Sequence, residues 1–128
     1  MQDCGAHSPI AETAFAPAER ASRTDVWASV ASLAEHPLLR ALLDAADVSV
    51  VVLNRQRQIL VGNSVLLEGL GIQGMEFIEG LRPGEALGCL HASQCLGGCG
   101  TAPECANCGA VLAILESQRT DKSVEREC

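Results

Sequence analysis

The sequence predicts an α+β domain in which helices flank a small antiparallel sheet. Two short β-branched runs, VSVVVLN at 48–54 and ILVGN at 59–63, are separated by four polar residues, which is the pattern of a hairpin. Helical periodicity precedes and follows this pair. The length of 128 residues suits one domain, and its core must be aliphatic because only two Phe and one Trp are present.

Charge and composition disfavour several function classes. The formal net charge is -7 and Lys122 is the single lysine, so the clustered cations that contact nucleic acids or anionic membranes are missing. The first ten residues contain neither a basic region nor an apolar run, and the apolar stretch at 48–53 is too short to span a bilayer. We therefore expect a cytoplasmic protein, in which cysteines are kept reduced.

The N-terminal part divides into a tail and a helical segment. Residues 1–22 are rich in Ala, Pro, Ser and Glu without a sustained period, which predicts a flexible tail in which Cys4 is an incidental thiol. From 23 to 46 we expect helix, begun by Ser22 and interrupted at Pro37, which starts a second helix. The apolar stripes of these helices suit either a core or a dimer face.

The remaining residues, 47–128, are expected to form one domain around the hairpin. After the second strand, Asn63 or Ser64 caps a short helix that ends at Gly71. A further helical turn in EFIEGL, 76–81, is expected to stop at the sequence RPGE that follows it.

A loop at 88–109 holds five of the seven cysteines in a glycine-rich setting. They are Cys89, Cys95, Cys99, Cys105 and Cys108. A helix over 108–118 is expected to follow, and a strand to open at Val124 after a polar turn. Burial of these thiols as small apolar side chains fits poorly, because apolar neighbours are nearly absent from the loop.

Two chemical interpretations of the loop remain. Cys105 and Cys108 form a C-x-x-C pair at a predicted helix N-terminus, where the helix dipole favours a thiolate, and this suits a thiol–disulfide switch. Four thiolates would instead bind zinc or an iron–sulfur cluster, with glycines letting the backbone fold closely around it. The uneven spacing favours a cluster over zinc. His91 is expected to be a solvated loop residue rather than a ligand.

The hairpin and the residues after it resemble the PAS sensor domain family. In that family a strand ends in Asn, a short helix follows and a glycine turn closes it, as do Asn63, 64–70 and Gly71 here. RPGEALGC, GCG and CxxCGA further resemble a subgroup with a cysteine-rich insertion before the long helix. The resemblance covers roughly residues 38–128 and implies a five-stranded antiparallel sheet. Because only two strands and the start of a third are visible, we expect a PAS-like fold that is incomplete at its C-terminal side.

The same resemblance implies a ligand set and a function. The implied ligands are Cys89, Cys99, Cys105 and Cys108. Cys95 lies outside the pattern, as an alternate ligand or a reactive neighbour. The resemblance implies a bacterial sensory module, not an enzyme, that binds an iron–sulfur cluster or zinc and senses redox state or a diatomic gas. Its N-terminal helix would signal to a second copy or to an effector such as a histidine kinase. A thiol–disulfide switch and a metal or cluster carrier remain as alternatives.

Overall fold

A computed structural model describes residues 13–128 of the chain. Over this range the fold is mixed, with five α-helices and one antiparallel sheet of two strands, which confirms the α+β class. The helices are α1 Arg23–Ala34, α2 Pro37–Ala45, α3 Ser64–Leu70, α4 Pro83–Leu87 and α5 Gly109–Thr120. The strands are β1 Val51–Leu53 and β2 Ile59–Gly62. Short 3-10 turns lie at Met75–Phe77, Leu90–Ser93 and Pro103–Asn107. Cys4 and the first part of the predicted tail lie outside the described residues.

The chain forms two compact units. One comprises residues 20–86, with α1 to α3 and the hairpin. The other comprises residues 13–19 and 87–128, and it carries the cysteine loop and α5.

The helix starts predicted in the first unit are confirmed. The Ser22 hydroxyl oxygen accepts a hydrogen bond from the Asp25 N–H at 3.1 Å, and the hydroxyl donates to the Asp25 carboxylate at 2.8 Å. Pro37 is the first residue of α2, where its missing N–H costs nothing. The apolar residues of α2 differ in burial, because Leu43 is buried whereas Leu38 is 72% exposed.

The predicted hairpin is also confirmed. β1 and β2 pair antiparallel with Val52 opposite Val61, and an irregularity lies between Val52 and Leu53. The turn is closed by the Asn54 N–H, which donates to the Gln58 carbonyl at 2.9 Å. On the far side of β2, the Ile59 N–H donates to the Leu81 carbonyl at 2.7 Å, so this edge is partly covered.

Two local features differ from the sequence predictions. The helical turn expected at 76–81 is the shorter turn Met75–Phe77, which stops before RPGE, and Pro83 of that sequence begins α4, a helix that was not expected. No strand opens at Val124, since residues 121–128 have no regular structure. Beyond β1 and β2 the described residues contain no further strand, and a five-stranded PAS sheet is therefore not formed by them.

The segment after α5 folds back along that helix. Asp121 ends α5 in the left-handed conformation, with φ of 53°. The Ser117 hydroxyl then donates to the Lys122 carbonyl at 2.8 Å, and the Arg126 guanidinium pairs with the Glu116 carboxylate. Residues 121–128 therefore have defined contacts with α5, although they form no regular element.

The pair between Glu116 and Arg126 predicts an acid-sensitive attachment of this segment. The hydrogen bond from Arg126, and then its positive charge, lower the pKa of Glu116 from the ordinary value of 4.5. A carboxyl group whose pKa is lowered in the folded state stabilises that state at pH values above its ordinary pKa. This contribution is lost as the pH falls through the lowered pKa. We expect NMR signals of Arg126 and Glu127 to shift towards unstructured positions in that acid range. Glu116→Gln should remove this pH dependence, and a retained acid step in that variant would contradict the assignment.

Candidate thiol and metal site

The cysteine loop is shaped by a tight turn between Cys95 and Thr101. The Gly98 N–H donates to the Cys95 carbonyl at 3.0 Å, and the fully buried Thr101 hydroxyl donates to the Gly98 carbonyl at 2.6 Å. Gly98 and Gly100 have φ of 84° and 89°, a conformation that other residues adopt only with strain. The glycines therefore let the chain turn back within a few residues of Cys95 and Cys99.

Residues 13–19 pack against this turn. The Ala14 N–H donates to the Thr101 carbonyl at 2.7 Å, and the Ala16 N–H donates to the Gly100 carbonyl at 2.9 Å. Ala16 is buried. The flexible tail predicted for residues 1–22 is therefore wrong for residues 13–19. Two backbone contacts and one buried alanine leave no periodic pattern in the sequence that could have shown this packing.

Two cysteines of the loop are buried together. Cys95, Ala102 and Cys105 form one cluster, in which the cysteines are 5% and 6% exposed. Cys95 is joined in a disulfide, whereas Cys105 keeps a thiol. The Cys95 sulfur lies 3.3 Å from the Thr101 carbonyl oxygen, a contact rather than a hydrogen bond because a disulfide sulfur carries no proton. The expectation that loop thiols would not be buried is therefore wrong for these two residues.

The other cysteines of this unit are more accessible. Cys89 precedes the turn Leu90–Ser93 and is exposed, and Cys99 is half-buried without a disulfide. Cys108 is half-buried and is the residue that precedes α5, as predicted, although its side chain makes no capping hydrogen bond. Accessible sulfur therefore lies at both ends of the loop.

The four implied metal ligands have suitable donor atoms. As donors they suit zinc or an iron–sulfur cluster, because none of the sulfurs of Cys89, Cys99, Cys105 and Cys108 is joined in a disulfide. Within residues 13–128, however, no three His, Cys, Asp or Glu side chains are grouped so as to hold a metal ion. The donor chemistry fits the group, and binding by these four cysteines would require the loop to bring their sulfurs together.

His91 lies beside an acidic side chain. Its Nδ1 atom lies 3.8 Å from a carboxylate oxygen of Glu104, and both side chains are 41–50% exposed. This pair joins the turn Leu90–Ser93 to the turn Pro103–Asn107. Such an exposed pair contributes little to stability.

Sequence reasoning missed Cys128. Gly109 lies so close to the segment 121–128 that a Cβ on it would be 2.7 Å from the Glu127 carbonyl carbon and 3.4 Å from the Cys128 Cα. A fifth free thiol of the described residues, which is exposed, is thereby placed beside the residue that follows Cys108. The spacing of the cysteines carried no such signal, because α5 separates the two residues in sequence.

Comparison with family models, curated proteins and solved structures finds no match. Among the described residues, no helix has both the length and the apolar character needed to cross a membrane. The candidate site therefore rests on the geometry of its own residues.

Proposed function

We propose that this chain is a redox-responsive sensory module whose cysteine loop, residues 88–109, is the responding element. The observation that carries the proposal is the buried cluster in which a disulfide-bonded Cys95 packs with the thiol of Cys105. Thiol–disulfide chemistry needs an oxidised and a reduced sulfur close together, and this cluster supplies both.

A route for the response follows from the position of the cluster. Cys105 lies within the turn Pro103–Asn107, and α5 begins two residues after that turn. Two molecules of a small thiol such as glutathione reduce the Cys95 disulfide. They supply two electrons and two protons, become glutathione disulfide and leave two protein thiols, so the packing around Ala102 changes. A change of packing at this turn would alter the start of α5. A local change in redox state could in this way be passed to the rest of that helix.

Metal or cluster binding is the second candidate function. It is supported by the division of the loop cysteines, because Cys95 is disulfide-bonded and the four implied ligands are not. A bound cluster would supply one-electron redox chemistry, whereas zinc would supply a structural crosslink. Cys89, Cys99, Cys105 and Cys108 would hold the group after rearrangement of the loop.

The PAS-like assignment belongs to the same proposal. It is supported by the β1–β2 hairpin and by Asn63, which caps α3 before a left-handed Gly71. The exposed Leu38 and Leu42 on α2 offer an apolar surface for a second copy or an effector such as a histidine kinase. Signalling without enzymatic activity, in the cytoplasm, is part of this proposal.

Thiol counting and metal analysis on protein purified without oxygen test both candidates. For a thiol switch we expect a colourless protein in which reductant raises the number of alkylated cysteines by about two per chain. For a cluster we expect absorption near about 400 nm with matching iron and sulfide. A protein with no metal and no change in alkylation on reduction would contradict both.

Single Cys→Ser variants separate the two candidates further. If the loop binds a metal, Ser at any of the four implied ligands abolishes binding, and Cys95→Ser spares it. If the loop is a switch, Cys95→Ser abolishes the reductant-dependent change, and Cys89→Ser preserves it because Cys89 lies outside the buried cluster. Metal loss in Cys95→Ser with retention in Cys89→Ser would overturn the ligand assignment.

A further inference from the structure

The segment 121–128 returns along α5 and brings Cys128 to the start of that helix. The contacts follow an antiparallel order, with Ser117 bonded to Lys122, Glu116 paired with Arg126, and Gly109 against Glu127. The lengths agree, because the twelve residues of α5 rise about 18 Å, and seven extended residues can span roughly 23 Å. The return is therefore held at two places, at Glu116 and Ser117 in the second half of α5 and at Gly109, its first residue.

We infer that Cys108 and Cys128 form a reversible disulfide across the start of α5. The Cys128 Cα lies 3.4 Å from the Cβ position of Gly109. Adding one Cα–Cβ bond and one Cα–Cα step places the Cα atoms of Cys108 and Cys128 within about 9 Å. A disulfide needs up to about 7 Å, so a small movement of Cys128 suffices. Both residues carry thiols, and Cys128 is exposed.

The bond forms by exchange with a small-molecule disulfide such as glutathione disulfide. The Cys128 thiolate attacks one sulfur of that disulfide, forms a mixed disulfide and releases one glutathione thiolate. The Cys108 thiolate then attacks the Cys128 sulfur, which forms the protein disulfide and releases the second glutathione. Two electrons pass from the two cysteines to the oxidant, and the two thiol protons pass to the two released glutathione molecules.

Cys105 is the competing partner for Cys108, since the two residues form the C-x-x-C pair. The Cys105 side chain is directed into the buried cluster with Cys95 and Ala102, whereas Cys108 is only half-buried. The geometry therefore favours Cys128, rather than Cys105, as the disulfide partner of Cys108. The inferred bond requires neither Cys95 nor a metal, so it extends the proposed redox function to a residue outside the loop.

Disulfide mapping of the full chain after incubation with glutathione disulfide tests the inference. Remaining thiols are alkylated, and cleavage after glutamate then separates the fragment 105–116 from Cys128. We expect Cys128 to be attached to the fragment 105–116 and to be released by reductant. The product should persist in Cys105→Ser and fall by about tenfold or more in Cys108→Ser, because only the second variant removes the neighbouring sulfur.

Gly109→Ala is the control that keeps every thiol. Alanine suits a helix, but its Cβ would overlap the Glu127 backbone, so the segment must move away and the yield of the product should fall about tenfold. A Cys105–Cys108 bond in the unsubstituted chain, or an unchanged yield in Gly109→Ala, would overturn the inference. Alkylation of Cys95 in the same samples reports the proposed loop switch separately, so either proposal can fail alone.

Discussion

Replacing Asn63 with alanine should lower the free energy of unfolding of residues 20–86 by about 3–5 kcal/mol. The Asn63 side chain is buried, and its Oδ1 accepts from the N–H groups of Val50 and Leu66, both at 3.1 Å. Its Nδ2 donates to the carbonyls of Val48, at 2.7 Å, and Leu43, at 3.4 Å. Alanine would remove the α3 cap and leave several buried backbone groups unsatisfied at once, and each such group costs about 1–3 kcal/mol.

Urea unfolding followed by Trp27 fluorescence measures this effect, because Trp27 lies on α1 in the same unit. Ser64→Ala is the matched control, since the Ser64 side chain is exposed and Asn63 supplies the cap. We expect the control to lie within about 0.5 kcal/mol of the unsubstituted protein. Asn63→Asp should be intermediate, because it keeps the accepting oxygen and loses both donated bonds. Equal stabilities for Asn63→Ala and Ser64→Ala would contradict the role of Asn63.

The sequence predicted the helix and hairpin positions well because their signals are local. Ser22 and Asp25 lie within one helical turn, and Pro37 favours a helix start through its own ring. Gly71 ends α3 in the left-handed conformation, which other residues adopt only with strain. The omission of the helix at Pro83 has the same origin, because a proline can either stop a helix or start one, and only the surrounding fold decides between them.

The candidate site was predicted less completely because its geometry depends on contacts between residues that are far apart in the sequence. The loop was found from its cysteine count, but the burial of Cys105 depends on the turn fixed by Thr101 and its glycines. The approach of Cys128 depends on the reversal after α5 and on the close fit against Gly109. Neither relation leaves a spacing that can be read from the sequence.

Loss of the Cys95 disulfide should lower the free energy needed to open the cysteine loop by about 2–4 kcal/mol. A disulfide restricts the unfolded chain, and Cys95 also fills the cluster with Ala102 and Cys105. Glu104, which is exposed in the turn next to that cluster, gives a direct probe through cleavage by a glutamate-specific protease. If opening of the loop precedes cleavage, the rate after Glu104 should rise roughly a hundredfold in Cys95→Ala.

Two comparisons isolate the cause of faster cleavage. Cys89→Ala removes an exposed sulfur from the same loop and should leave the rate after Glu104 unchanged. Cleavage after Glu76, an exposed residue of the unit 20–86, should be the same in all variants because the disulfide acts on the other unit. Reductant added to the unsubstituted protein should reproduce the effect of Cys95→Ala. Reductant could instead accelerate cleavage equally at Glu104 and Glu76, or at neither residue. Either result would show that the Cys95 disulfide does not control opening of the loop, and it would contradict the redox proposal.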